Sequence, residues 1–139
     1  MRKAKRIVID TNLWISFLIT KDYAKIDNIL FSGKIILVFS TELLDEFIEV
    51  ANRQKFKRFF SKLEIENFLE TIEECADFTK VKTVVNICRD PKDNFLLSLS
   101  IDGNVDFLIT GDKDLLDLNK IGKTKMLTMS DFLLTLRSK

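Results

Sequence analysis

The chain has 139 residues, the length of one domain, and its 22 basic and 21 acidic side chains give a net charge of +1. A hydrophobic content of 46% is enough for a core, which excludes a disordered or low-complexity chain. The sequence contains no histidine, which excludes catalysis or metal binding that depends on imidazole. A metal site must therefore use oxygen ligands or cysteines. Cys75 and Cys88 are too few for a cysteine-only zinc site and are expected to be free thiols.

Five short apolar runs predict buried strands. Each run is continuous rather than alternating with polar residues, which is typical of strands in a parallel sheet. In chain order the runs cover residues 7–9, 35–39, 81–85, 107–109 and 126–129. None approaches the roughly 20 apolar residues needed to span a bilayer. We therefore expect a cytoplasmic protein without membrane contact.

Helical segments fill the intervals between the predicted strands. Ser40 can cap the second helix, and Ser61 with Glu64 forms a capping box for the third. Asp90 can cap the fourth helix, because a proline follows it at the first helical position, and Gly103 ends that helix. The predicted helices cover residues 13–30 with a break near 20–22, then 41–52, 62–76, 92–101 and a short final helix capped by Ser130.

The alternation of strands and helices predicts a single α/β domain over residues 1–139, with a parallel sheet covered by helices on both faces. Such sheets bind ligands beyond the carboxyl ends of their strands. Asp10 directly follows the first predicted strand, and Asp112 comes shortly after the fourth. Both acids are therefore expected at the carboxyl edge of the sheet.

Two further acids are predicted to reach the same edge. Glu46 lies in the second turn of the helix after the second strand, and Asp93 lies in the first turn of a buried helix. Four converging acids are costly in a core, because like charges repel and buried charge is poorly solvated. A hard divalent cation would stabilise such a cluster. Each acid alone also fits a simpler role as a helix cap or a solvated surface residue.

Four segments, in the same order, resemble the motifs of the PIN-domain nuclease family, and most of all its VapC-like branch of bacterial toxins. The segments are residues 7–12 (IVIDTN), 40–47 (STELLDEF) followed by 53–56 (RQKF), 89–96 (RDPKDNFL) and 108–116 (LITGDKDLL). The resemblance extends from about Arg6 to Leu134. It implies a three-layer α/β/α sandwich with a five-stranded parallel sheet, and Mg²⁺- or Mn²⁺-dependent cleavage of RNA phosphodiester bonds.

The resemblance also implies roles for individual residues. The acids that would bind metal and catalyse cleavage are Asp10, Glu46, Asp93 and Asp112. Asn12 and Thr110 match polar positions that support these acids in the family. Asp90 and Asp114 are expected to support the same site, and either Asp45 or Asp114 could share the role of its acidic neighbour. The implied partners are an RNA substrate and a cognate antitoxin protein.

The segment after the second motif combines basic and aromatic residues. Residues 52–62 (NRQKFKRFFSK) contain no acid. RNA binding would use such basic side chains on phosphates and aromatic rings on bases. The basic candidates are Arg53, Lys55, Lys57 and Arg58. The alternative is an amphipathic segment that places Phe56, Phe59 and Phe60 in the core or in a dimer interface.

Other classes of protein account less well for the same acids. A phosphatase of the haloacid-dehalogenase type needs a second aspartate two residues after the first, where this chain has Asn12. A receiver domain needs a lone acceptor aspartate after its third strand, which the sequence lacks. A non-catalytic binding module of PIN-like fold remains an alternative, although it would have no use for four acids. The 12 phenylalanines of this small chain further predict a homodimer.

Overall fold

A computed structural model describes residues 4–137, in which a six-stranded sheet carries most of the backbone pairing. The strands are β1 (Lys5–Ile9), β2 (Ile35–Phe39), β3 (Asp77–Phe78), β4 (Phe107–Ile109), β5 (Lys120–Ile121) and β6 (Thr124–Leu127). Their order across the sheet is β3-β2-β1-β4-β6-β5. The chain runs outward from β1 to β3 and then returns to the other side of β1 as β4. All pairs are parallel except β5–β6, which is antiparallel.

Seven α-helices connect or flank these strands in the described part of the chain. They are α1 (Thr11–Thr20), α2 (Tyr23–Phe31), α3 (Thr41–Ala51), α4 (Lys62–Cys75), α5 (Pro91–Asp102), α6 (Lys113–Leu118) and α7 (Met129–Arg137). The predicted caps at Ser40, Ser61 and Asp90 are confirmed, including the capping box between Ser61 and Glu64. The predicted break between α1 and α2 is confirmed as well, because Lys21 adopts a left-handed conformation there (φ 59°).

The predicted number of strands is wrong, because the sheet has six strands rather than five. Residues 81–85 do not form the third strand, which is the shorter β3. The backbone amides of Lys82 and Thr83 donate to Asp102, and that of Val85 donates to Ser98. These amides are therefore bound to side chains of α5 and are not paired with a neighbouring strand. The additional strand β5 forms a hairpin with β6 through Gly122, whose positive φ of 55° suits a tight turn.

The end of the chain also differs from its prediction. Ser130 does not cap the last helix, because α7 already begins at Met129. The hydroxyl of Thr128 instead accepts a hydrogen bond from the amide of Asp131. The short helix α6 was not predicted, and Asp112 caps it by accepting from the amide of Asp114.

The central strands are buried on both faces. Ile7, Val8 and Ile9 are fully buried although consecutive strand residues point to opposite faces, as a sheet covered by helices on both sides requires. Leu108 and Ile109 of β4 show the same burial. No helix in the described residues combines the length and hydrophobicity that a bilayer crossing needs. The two cysteines are free thiols, as predicted.

An aromatic cluster fixes the helices that surround the sheet. The ring of Trp14 in α1 packs against Phe39 of β2 at 6.2 Å and Phe68 of α4 at 5.1 Å between centroids. Phe68 also packs against Phe47 of α3 at 5.0 Å. These rings are buried, so they contribute apolar area and favourable ring contacts together. The cluster therefore sets α1 and α3 relative to the sheet, and with them the acids near their first turns.

Gly103 ends α5 where that helix packs against the sheet. Its φ of −84° is open to any residue, so the requirement for glycine is spatial. A Cβ atom would lie 2.9 Å from the carbonyl oxygen of Leu99 and 2.9 Å from Cγ1 of Val38 in β2. The carbonyl of Gly103 also accepts a hydrogen bond from Nε of Arg6 at 2.7 Å. The absence of a side chain at this position lets α5 approach β2.

Gly103→Ala is therefore expected to destabilise the protein by about 1–3 kcal/mol, the usual cost of overpacking a filled interior. Chemical denaturation followed by circular dichroism would measure this change. Gly111→Ala is the matched control, because a Cβ there meets no atom within 4 Å. Equal stability of the two variants would show that the contact between α5 and β2 does not depend on glycine.

Candidate functional site

Two of the predicted acids lie at the carboxyl ends of neighbouring strands. Asp10 follows β1 and Asp112 follows β4, and these strands pair in parallel where the chain reverses its direction across the sheet. Thr110 lies between the two acids: its hydroxyl donates to Oδ2 of Asp10 at 2.8 Å and accepts from the amide of Asp112 at 3.0 Å. Ligand sites of open parallel sheets form at such a reversal.

Asp93 is the most buried of the predicted acids. It lies in the first turn of α5 and is only 4% exposed. Its Oδ2 atom is buried and has no hydrogen-bond partner among the described residues. Burial raises the pKa of Asp93 to about 7, with further contributions from a hydrogen bond to Asp112 and from the charges of Asp112, Asp90 and Asp10. A carboxyl group in this state has a buried oxygen that a proton or a cation can satisfy.

Asp93, Asp112 and Asp114 form a group that we call the acidic cluster. One carboxylate oxygen from each residue lies within 4.8 Å of the others. Asp10 is not a member of this group by distance, but it interacts with it electrostatically. Burial raises the pKa of Asp10, Asp112 adds to the rise, and the hydroxyl of Thr110 opposes it. The sheet edge therefore brings three of the four predicted catalytic acids into one electrostatic environment.

Glu46 is placed differently from the other three acids. Its Oε1 accepts a hydrogen bond from the hydroxyl of Thr11 at 3.3 Å, and its Oε2 pairs with Nζ of Lys92 at 3.5 Å. Thr11 directly follows Asp10, so Glu46 lies beside the Asp10 end of the site and outside the acidic cluster. Asp45, the alternative on the same helix, is exposed.

The supporting residues act in part through their backbones. The amide of Asn12 donates to Oδ1 of Asp10 at 3.4 Å, and no hydrogen bond from its side chain to an acid is found in residues 4–137. Asp90 caps α5 through the amide of Lys92, and its charge contributes to the raised pKa of Asp93. Asp114 belongs to the acidic cluster itself and pairs with Arg89 at 3.1 Å.

The basic segment has its aromatic rings turned toward the protein. Phe60 is buried, while Phe56 and Phe59 pack against the core as partly buried residues. This arrangement agrees with the alternative of an amphipathic segment and leaves the rings poorly placed for stacking on bases. Among the basic candidates, Arg53 forms two hydrogen bonds with Glu49, whereas the remaining three are exposed. These three are Lys55, Lys57 and Arg58.

Three residues that contact the predicted acids were not assigned a role from the sequence. Thr11 and Lys92 bind Glu46, and Arg89 binds Asp114. Arg89 and Lys92 fall within a motif-like segment, but nothing in the sequence indicates which acid each would face. That information depends on the packing of α5 against α3 and α6.

Comparison with protein families identifies this architecture. The fold and the acidic cluster define an α/β protein with a candidate divalent-cation site at the reversal point of its sheet. The PIN domain family matches residues 6–114, which is more than half of the chain, so the protein belongs to the PIN domain family. PIN domains are generally nucleases and typically use divalent metal ions. A comparison with curated proteins finds no match.

The raised pKa of Asp93 predicts a pH-dependent stability in the absence of metal. Its pKa is about 7 in the folded protein against an ordinary value of 3.8. The folded state therefore favours the protonated form, and the associated stability is lost as pH rises toward and through about 7. The Asp93→Asn variant lacks the titrating carboxyl group, so it does not lose stability in this way as the pH rises. In EDTA, the melting temperature of the variant relative to wild type should increase between about pH 5 and pH 8.

Asp27→Asn, on the exposed surface of α2, is the control for this measurement. Its melting temperature relative to wild type should change much less over the same pH interval. A difference between Asp93→Asn and wild type that stays constant with pH would contradict the raised pKa of Asp93.

Proposed function

We propose that this protein is a Mg²⁺- or Mn²⁺-dependent endoribonuclease and the toxin component of a bacterial toxin–antitoxin pair. The observation that carries the proposal is the buried Asp93 carboxylate, which has an unpartnered oxygen next to Asp112 and Asp114. Membership of the PIN domain family supports nuclease chemistry. The assignment to RNA and to a toxin rests on the resemblance of the four sequence motifs.

The donor set fits a hard divalent cation. The ligand distances of Mg²⁺ and Ca²⁺ are about 2.0–2.6 Å, so two oxygens on one ion lie up to roughly 5 Å apart. The oxygens of Asp93, Asp112 and Asp114 lie within 4.8 Å of one another, and Oδ2 of Asp93 has its bonding capacity free. These three residues would hold the ion, with Asp10 beside them. Oxygen-only ligation also suits a chain without histidine.

The protein's own groups keep these acids in position. Bound Mg²⁺ or Mn²⁺ would lower the pKa of the attacking water and offset charge developing on the phosphate. The hydroxyl of Thr110 fixes Oδ2 of Asp10 and the backbone of Asp112 through two hydrogen bonds. Glu46 is held at the side of the site by the hydroxyl of Thr11. From there it is suited to orient a water molecule or accept its proton.

A non-catalytic binding module of PIN-like fold is the alternative that the experiments below distinguish. A phosphatase of the haloacid-dehalogenase type is no longer a candidate, because the chain belongs to the PIN domain family. The cytoplasm, where RNA and an antitoxin would be available, is the proposed location.

Asp10→Asn is expected to lower RNA cleavage by at least about a hundredfold, because a neutral amide replaces a charged group of the metal site. The amide oxygen can still accept from the backbone amide of Asn12, and the hydroxyl of Thr110 can accept from the new side-chain NH2 group, so the fold should persist. Cleavage of a labelled single-stranded RNA with Mn²⁺, and then with excess EDTA, measures the effect. Calorimetry should show weaker Mn²⁺ binding by the same variant.

Asp45→Asn is the matched control for this test, since Asp45 is an exposed acid next to Glu46. It should keep both cleavage and Mn²⁺ affinity. Wild type that binds Mn²⁺ but leaves RNA intact would favour the binding module. Full activity of Asp10→Asn, in a preparation free of contaminating ribonuclease, would show that the catalytic centre lies elsewhere.

A homodimer is part of the proposal, and exposed apolar side chains support it. Phe31 at the end of α2 is 65% exposed, and Val84 in the loop before α5 is 89% exposed. Such surface favours association. Light scattering at micromolar concentration should therefore give about 32 kDa, twice the 16.1 kDa of the chain. A mass of one chain at that concentration would contradict the dimer.

A further inference from the structure

Two cations of one short turn pair with two different acids of the site. Arg89 and Lys92 belong to the segment that leads into α5 and its first turn. Nη2 of Arg89 contacts both carboxylate oxygens of Asp114, at 3.2 and 3.1 Å. Nζ of Lys92 lies 3.5 Å from Oε2 of Glu46. The turn therefore places one positive charge at Asp114 of the acidic cluster and another at Glu46, beside the Asp10 end of the site.

Both cations remain accessible to solvent. The side chain of Arg89 is 88% exposed and that of Lys92 is 56% exposed. Exposed ion pairs contribute little to stability and exchange partners readily. A phosphate that approaches the acidic cluster can therefore replace Asp114 or Glu46 as the partner of these cations at little cost.

The position of Lys92 is not explained by the stability of its helix. A cation in the first turn of a helix opposes the helix dipole, which favours acids there. Lys92 stands in the first turn of α5, directly between Pro91 and Asp93. The positive charge of Lys92 is therefore better explained by the acidic side chains that it faces, of which Glu46 is one.

The acids at this edge of the sheet repel a polyanionic substrate, so the substrate needs positive side chains nearby in order to bind. Six carboxylates surround this edge of the sheet, and their field repels a phosphodiester backbone. They are Asp10, Glu46, Asp90, Asp93, Asp112 and Asp114. A divalent cation offsets only part of this charge. Positive side chains at the rim are needed so that the phosphates on either side of the cleavage point can approach.

We propose that Arg89 and Lys92 form a phosphate clamp that holds the RNA backbone across the acidic cluster, a role that rests on the proposed nuclease function. Arg89 presents a planar guanidinium suited to bidentate contact with one phosphate. Lys92 supplies a compact charge for a second phosphate on the Glu46 side. The two residues are substrate-binding residues and do not hold the metal ion.

Lys92 also lies beside α3, the helix that leads to the basic segment. Arg53 hydrogen-bonds Glu49 and lowers its pKa, and Lys92 contributes to the same shift. Glu46 and Glu49 lie about one turn apart on α3, and they pair with Lys92 and Arg53 respectively. An RNA strand held by Lys92 would therefore approach the basic segment if it continued along this face of α3.

The test compares Arg89→Gln and Lys92→Gln with Lys123→Gln. Lys123 is a close control for Lys92, because it is 52% exposed and pairs with Asp106 at 3.4 Å, before β4 at the opposite edge of the sheet. Cleavage of a single-stranded RNA with Mn²⁺ gives KM and kcat at several salt concentrations. Calorimetry gives the Mn²⁺ affinity of each variant without RNA.

Each clamp variant should raise KM about three- to tenfold and reduce the salt dependence of log KM by about 0.7, the contribution of one phosphate contact on a single strand. We expect kcat to change less than about twofold, because the clamp binds substrate and transition state alike. Mn²⁺ affinity should stay equal or rise, because a positive charge beside the carboxylates is removed. Lys123→Gln should match wild type throughout.

Unchanged KM and salt dependence in both clamp variants would overturn the clamp while leaving the nuclease intact. A parallel loss of Mn²⁺ affinity would overturn it as well, because it would show that these residues only support the metal ligands. If wild type does not cleave RNA, the proposed function fails, and RNA affinity with Mn²⁺ present at low salt then decides on the clamp. Equal affinities of wild type and both clamp variants, or no binding by wild type, would overturn it.

Discussion

The buried carboxylate of Asp93 is the constraint on which the rest of the site depends. A carboxylate out of water is unfavourable unless hydrogen bonds or a positive charge compensate it. Here Oδ2 has no partner among the described residues, and the nearest charged groups include further acids. The protein can relieve this situation with a proton or with a cation. The raised pKa is the first response, and the divalent-cation binding that we propose for the acidic cluster would be the second.

The fold creates this situation by joining elements that are distant in the chain. Parallel pairing of β1 with β4 brings Asp10 to the same edge as Asp112, and Thr110 fixes their spacing. Close packing of α5 against β2, which Gly103 permits, holds Asp93 at this edge. The parallel sheet and the buried helix α5 thus hold these like charges close together despite their repulsion. Such a scaffold would suit the proposed metal site, which must keep its geometry before a ligand binds.

Charge is unevenly distributed at this edge of the sheet. Buried Asp93 lies among partly exposed acids, the exposed cations Arg89 and Lys92 pair with two of the acids, and a basic segment follows α3. This order is reasonable for a protein with a net charge of only +1, because local separation of charge can attract a polyanion when the total cannot. The phenylalanines of the basic segment serve the core instead of the substrate. RNA contact in that region would then rest on phosphates rather than on stacked bases.

The sequence by itself determined the α/β class, the four central strands, most helix caps and the acids placed at the sheet edge. These features follow from local rules: continuous apolar runs, capping residues, and acids directly after strands. Residues 81–85 misled because their apolar run is typical of a strand, whereas only the packed structure offers Asp102 and Ser98 to their backbone amides. The tertiary structure also decided that Asp114 joins the acidic cluster, that Glu46 stands beside it, that Arg89 pairs with Asp114 and that Lys92 pairs with Glu46. Asp93 and Asp114 are 21 positions apart, and the two ion pairs join residues 25 and 46 positions apart, so the spacing of these side chains is set by how the helices pack on the sheet.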